Sequence, residues 1–413
     1  MDELDRFRGL LGVAAILGLA WCLSENRRAI SPRMVIGGLG MQAALGYMLL
    51  RFEAGRTALD AAGRWVEAVL ACSEAGARFV FGDKLVDPAG PAGFVFAFRV
   101  LPTIVFAAAL FAVLYHLGVM QVVVRAFAWV TARVLGSSGA ETLNAAASIF
   151  LGQTEAPLVI RPYLSRLTRS ELAVVMVSGM GLVSGGILGA YLAAGCESRD
   201  LLTAILMSFP ATIYLTKIAI PETGVPETLG TTKVADERID DNVLDAAARG
   251  TREGLLLAAN VAAMLISFTA LVTLVNLALG GIGHWVGMPG LSLQQLLGMA
   301  LEPLAWLLGV PRQDCRTVGA VLGTRTVLNE LIAYGDLGRL KASLDPKSFS
   351  LATIALCGFA NISSIGIQLG GIGALIPERR AELAQLAVKV LVISTLANFL
   401  SAAIAGVIMP LAG

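Results

Sequence analysis

The chain has 413 residues, 56% of them hydrophobic and 15% charged, with a mean hydropathy of +0.75. Soluble domains run at roughly 45–50% apolar and about 25% charged residues, so this composition excludes an ordinary soluble globule and implies a polytopic membrane protein. A formal net charge of +1, with basic residues scattered along the chain, offers no footprint for nucleic acid.

In chain order, the acidic start Met1-Asp2-Glu3-Leu4-Asp5 carries no small-residue cleavage motif, so no cleaved signal peptide is expected. Apolar stretches follow at Gly9–Leu23, Met34–Leu50, Phe94–Met120, Leu172–Ala194, Leu201–Ile220, Leu255–Leu279, Leu351–Ile376 and Leu386–Met409. At about 1.5 Å per helical residue these make eight expected spans, the first crossing only with its flanks included. Arg56–Phe81, Gln121–Val134 and Leu291–Leu301 are too polar or too short to cross and read as interfacial amphipathic helices. Pro221–Gly250, with Lys233, Asp236, Glu237, Arg238, Asp240 and Asp241, is expected to be a solvated loop.

Ser138–Thr168 and Asp314–Asp336 each place a polar cluster between two short apolar arms. That pattern predicts re-entrant hairpins whose tips are covered by protein or water. Each precedes a span with a weak middle: Ser178-Gly179-Met180-Gly181 with Ser184-Gly185-Gly186, and Gly358-Phe359-Ala360-Asn361-Ile362-Ser363-Ser364. A hairpin followed by a broken helix, occurring twice, points to a transporter with its site near the membrane midplane between the halves. Ordinary packing of small residues explains the glycines but not Asn361, Ser363 and Ser364. Arg27, Arg28, Arg33, Arg161, Arg166, Arg169, Arg379 and Arg380 predict three cytoplasmic loops, with both termini outside. Arg339, Lys341 and Lys347 run against that bias.

Glu155, in Gly152-Gln153-Thr154-Glu155-Ala156-Pro157, and Glu330, after Asn329, are acids inside apolar sequence. A charge at membrane depth costs several kcal/mol and persists mainly where it meets a cavity, a partner or a substrate. The structural alternative is an ion pair with Arg161 or Arg325. Gln153, Thr154 and Glu155 together suit the donors and acceptors of a planar heterocycle, while Glu330, Asn361 and Ser364 suit neighbouring sugar hydroxyls. Phe359 is placed to pack on a base or ribose face. The five cysteines have no CxxC spacing, and His116 and His284 are too few for a metal site. Neither HExxH nor GxSxG occurs, so an enzyme is not expected.

The run from Gly152 to Tyr163, the pair Asn329-Glu330 and the run from Cys357 to Gly366 resemble the concentrative nucleoside transporters, over nearly the whole chain. The resemblance implies an all-α polytopic membrane protein of about eight transmembrane helices. It also implies two opposed re-entrant hairpins, interfacial helices, an inverted repeat and a homotrimer in the plasma membrane surrounded by lipid. Its division is 1–137 scaffold and interfacial helices, 138–220 first half of the transport domain, 221–312 loop, scaffold helix and interfacial helix, and 313–413 second half. The implied activity is import of nucleosides with a coupling cation by an elevator-like movement, without any cofactor.

Carried over by position, Gln153, Thr154, Glu155 and Ile187 would hold the nucleobase, and Glu330, Asn361, Ser364 and Phe359 the ribose. Sodium-coupled members place an asparagine four residues before the glycine of the Gly-Gln-Thr-Glu motif and a serine in the unwound helix; this chain has Ser148 and Leu182 there. A sodium site would be left with Ser148 and carbonyls at Leu151, Leu182 and Val183. Protonation of Glu155 or Glu330 is the alternative, and H+ is slightly favoured over Na+. The rival reading is a cation channel or antiporter that binds no nucleoside.

Overall fold

The computed structural model describes residues 4–87, 95–229, 240–285, 287–288 and 291–409. Among these residues there are seventeen α-helices: α1 Leu4–Cys22, α2 Pro32–Leu50, α3 Glu53–Phe81, α4 Asp83–Val86, α5 Phe96–His116, α6 Val119–Leu135, α7 Gly139–Ala147, α8 Arg169–Gly181, α9 Gly185–Ala193, α10 Ser198–Ala219, α11 Val243–Trp285, α12 Leu293–Leu307, α13 Cys315–Val327, α14 Glu330–Leu340, α15 Pro346–Leu356, α16 Ile362–Leu375 and α17 Arg380–Ile408. Among the described residues there is no strand, only an isolated bridge between Ser138 and Leu229.

Among the described residues, five helices are long and apolar enough to cross a membrane: α2, α5, α10, α11 and the segment Pro377–Ile408. The other three expected spans take different forms. The first is the short apolar helix α1, and the stretches at 172–194 and 351–376 are interrupted, into α8 with α9 and α15 with α16. The α15 break falls at 357–361, within the expected weak middle, and the α8 break at 182–184, between the two glycine- and serine-rich stretches 178–181 and 184–186.

The three amphipathic segments are helical: α3, α6 and α12. The last is longer than expected and packs along α13. Gly118 and Gly136 bound α6 with left-handed backbone, at φ +79° and +70°, which a Cβ would strain. The expected loop 221–250 is corrected at its end, because α11 already begins at Val243. The Asn242 side chain accepts from the backbone N–H groups of Leu244 and Asp245, both at 3.0 Å, and so starts the helix. Asp240, far from solvated, is buried and receives both arms of the Arg249 guanidinium at 2.6 and 2.9 Å. Lys233, Asp236, Glu237 and Arg238 lie outside the described residues.

The first polar-centred segment folds as α7, a turn at 148–155 and a 3-10 stretch Ala156–Arg166; the second is α13 joined to α14, which runs four residues past the expected end at Asp336. Capping boxes Ser138/Glu141 and Thr168/Glu171 start α7 and α8. Lys217, at the end of α10, bridges Glu141 at 2.7 Å and Glu222 at 3.0 Å, so α7 and α10 are tied at one end. The core is built by α8, α10, α15 and α17, with α1 against α17 and α2 against α10, while α5 and α11 run along each other. Only 6% of the apolar window of α11 is buried, against 89% for α10.

Candidate functional site

Both polar clusters meet through the broken helices. Gln153 Nε2 at the first tip donates to Ser364 Oγ at 3.4 Å. The Ser364 backbone N–H donates to Asn361 Oδ1 at 3.0 Å, and Asn361 Nδ2 donates to Glu330 Oε2 at 3.0 Å. Tyr191 OH, from α9, donates to Glu330 Oε1 at 3.1 Å. Residues from both halves thus form one continuous hydrogen-bonded chain inside the protein.

Local geometry explains how each member is aimed. Asn329 caps α14 and Asn361 caps α16, each accepting from the backbone three residues on. Glu330 is therefore the first residue of its helix, where the positive end of the dipole favours a carboxylate. Burying that carboxylate at membrane depth costs roughly 2.5–3.5 kcal/mol on an insertion scale, while each hydrogen bond to a charged group returns about 1.5–3 kcal/mol. The two donors from Tyr191 and Asn361 are thus enough to hold it there. The Tyr191 ring packs on that of Tyr334, centroids 4.4 Å apart and planes tilted by 39°.

Glu155 lies apart from this chain. One of its oxygens accepts from the Gly152 backbone N–H at 2.5 Å, folding the carboxylate over its own turn. It faces a cavity of about 120 Å³, which is also lined by Phe111, Tyr115, Ser184, Arg249 and Glu253. Beside the tip, α16 approaches closely: a Cβ at Gly371 would lie 2.3 Å from Thr154 Cγ2. A Cβ at Gly179 would lie 3.1 Å from Gln153 Cβ and 2.9 Å from Gln368 Nε2. Gln368 Nε2 donates to the Met176 carbonyl at 2.8 Å. The amide oxygens of Gln153 and Gln368 are both buried without a hydrogen-bond partner in the protein, so two acceptors are left for a ligand or water.

The sequence descriptions "Na+ dependent nucleoside transporter N-terminus", "Nucleoside recognition" and "Na+ dependent nucleoside transporter C-terminus" match residues 11–84, 97–195 and 200–406. An "Uncharacterized transporter" of Haemophilus influenzae is 41% identical over 97% of either chain. The chain belongs to the concentrative nucleoside transporter family. Sodium/nucleoside cotransporter 1 of Rattus norvegicus is 38% identical over 96% of this chain and 63% of the rat protein. Among solved structures, CNTnw in an inward-facing substrate-bound state is similar at TM-score 0.92 and 38% identity, covering 98% of both chains. A CNTnw variant in an outward-facing state is similar at TM-score 0.94 and 38% identity, covering 98% of this chain and 99% of that one. Membership makes this chain a multi-pass membrane transport protein and not an enzyme.

As a concentrative nucleoside transporter, the chain brings Gln153, Ser364, Asn361 and Glu330 together, with Thr154 against α16 and Phe359 half-buried at the α15 break. Ile187 is buried in α9. Ser148, Leu182 and Val183 are buried, and Leu151 lines the cavity with Ser184. The Ser148 hydroxyl donates back to the Asn144 carbonyl at 2.9 Å, within its own helix. Among the described residues, the ion pairs with Arg161 or Arg325 that stood as the structural alternative do not form: Glu155 is held by Gly152 N–H, and Arg325 donates to Ala355 O and Asn398 Oδ1. Sequence reasoning missed Tyr191, Gln368, Asn398, Arg249 and Glu253.

Proposed function

We propose that the chain imports nucleosides together with a cation, alternating access by an elevator-like movement. The observation that carries this is the hydrogen-bonded chain Gln153–Ser364–Asn361–Glu330–Tyr191, which draws on both halves and borders two buried, unpartnered amide oxygens. Gln153, Thr154, Glu155 and Ile187 serve the base; Glu330, Asn361, Ser364 and Phe359 serve the ribose. The rival channel or antiporter reading differs in predicting ion flux with no nucleoside binding.

The helix pairs α7 with 156–166 and α13 with α14 are read as hairpins entering from opposite faces, related by an inverted repeat. Supporting this, Arg379 donates to the carbonyls of Leu164 and Leu167, and Glu25 receives Arg169 and Lys389, so the arginine-rich loops share one face. Lys341 donates instead to Gly195 O and pairs with Glu197, at the other end of α9. The arginine-rich face is read as cytoplasmic in the plasma membrane, with both termini outside. In place of a scaffold that takes in all of 1–137, α1 and α2, which pack on α17 and α10, are assigned to the moving unit with 138–220 and 313–413, and α5 with α11 to the fixed one. The bare apolar surface of α11 suits contact with lipid and with partner copies in a homotrimer.

The proton is favoured as coupling ion, because Ser148 and Leu182 stand where sodium-coupled members carry an asparagine and a serine, which leaves few side-chain oxygens for a hard cation. Sodium is the second reading, favoured by the family's description and by the name of the rat relative. Reconstituted vesicles given separate proton and sodium gradients test both. Accumulation of labelled uridine or adenosine against a gradient under the proton gradient alone is expected. Accumulation only under sodium replaces the ion, and equilibration indifferent to both removes coupling.

A further inference from the structure

Arg325 stands in the last turn of α13, wholly buried, and among the described residues it makes no ion pair. A guanidinium at membrane depth is costly; Glu330 attracts it from beyond ion-pair distance, and direct contacts supply the rest of its compensation. Nη1 donates to the Ala355 carbonyl at 3.1 Å, in the last turn of α15, and Nη2 donates to Asn398 Oδ1. Asn398 Nδ2 in turn donates at 2.7 Å to the carbonyl of Gly181, the last residue of α8. The Phe399 ring lies 5.8 Å from the guanidinium carbon. One cation therefore serves the C-terminal ends of both half-helices, one directly and one through a single amide.

Those ends carry the negative pole of each helix, and in interrupted-helix transporters half-helix C-termini are where coupling cations are held. The backbone leaves little room for an ion as well: at Gly358, φ +130°, a Cβ would meet Asn398 Oδ1 at 2.6 Å and Gly181 O at 2.9 Å. We propose that Arg325 is a built-in cation: it permanently fills the ion position at the crossing of the two broken helices, leaving one mobile coupling ion to be taken up with each nucleoside. By fixing both breaks it acts as a positioning residue for Asn361 and for the 182–184 turn. This rests on the transport function proposed above.

The test uses the full chain in vesicles, comparing wild type, Arg325→Lys, Arg325→Met and Arg325→Ala, with labelled uridine and electrical recording. Wild type is expected to move close to one charge per uridine, and Arg325→Lys to keep that ratio at a lower rate. Arg325→Met, which keeps bulk without charge, is expected to lose about 30-fold or more of its uptake, as when one partner of a buried hydrogen-bonded charge is removed. Added guanidinium is expected to restore part of the uptake of Arg325→Ala. A ratio of two in wild type, or uptake by Arg325→Met with unchanged rate and ion dependence, overturns the inference. If Arg325→Met does not fold, the charge ratios of wild type and Arg325→Lys decide it. Absence of uridine uptake by wild type would instead strike the transport function itself.

Discussion

Glu330 divides its two oxygens between Tyr191 and Asn361, so a carboxamide in its place loses charge and must turn an N–H2 group toward one of those donors. For Glu330→Gln the expected loss in uridine affinity is about 1.5–3 kcal/mol, the worth of hydrogen bonds to a charged group. Uridine analogues lacking ribose hydroxyls should lose much less, and calorimetric titration of both ligands separates the cases. Equal losses would detach Glu330 from the ribose. This acid was legible in the sequence because it interrupts apolar residues beside Asn329, and the same holds for Gln153, Glu155 and Asn361. Tyr191, Gln368 and Asn398 gave no such signal. None of them stands in a polar cluster that interrupts an apolar span, and the partner of each is distant in sequence, 139, 192 and 217 residues away.

At the scale of elements, the two interrupted helices were legible for a related reason: glycine, serine and asparagine cannot sustain an apolar span, and Asn361 is a strong cap. What the sequence did not disclose is that the breaks cross. That follows from Gly358 approaching Gly181 and Asn398, a contact between residues far apart in the chain. The start of α11 was missed because its first turns are charged; Arg249 offsets that polarity by pairing with Asp240 and Glu253. Gly358→Ala would place a methyl group against two oxygens in a backbone region that favours glycine. The expected cost is about 1–3 kcal/mol for the strain, more if the oxygens cannot move. Thermal unfolding in detergent should show a lower Tm than wild type, and an unchanged Tm would mean that the crossing relaxes freely.

At the scale of the molecule, the arginine-rich loops are gathered on one side by Glu25, in the turn between α1 and α2. Its backbone N–H donates to Ala219 O at 3.0 Å, and its carboxylate receives Lys389 at 3.0 Å and Arg169 at 3.3 Å, so α8, α10 and α17 are fastened to the first two helices. Partial burial pushes the Glu25 carboxyl up, but the hydrogen bonds and charges of Arg169 and Lys389 outweigh it and hold the pKa below the usual glutamate value. A carboxyl whose pKa is lowered by folding stabilises the protein above its unfolded pKa and ceases to do so as pH falls through the folded one. The carboxyl is about one-third exposed, 35% by side chain, so solvent screening limits the gain to about 0.5–1 kcal/mol. Glu25→Gln should therefore melt below wild type at pH 7, with the gap in Tm closing as pH is lowered toward and below about 4. A gap that stays constant over that range would mean that Glu25 holds the loops by packing and its backbone bond rather than by charge.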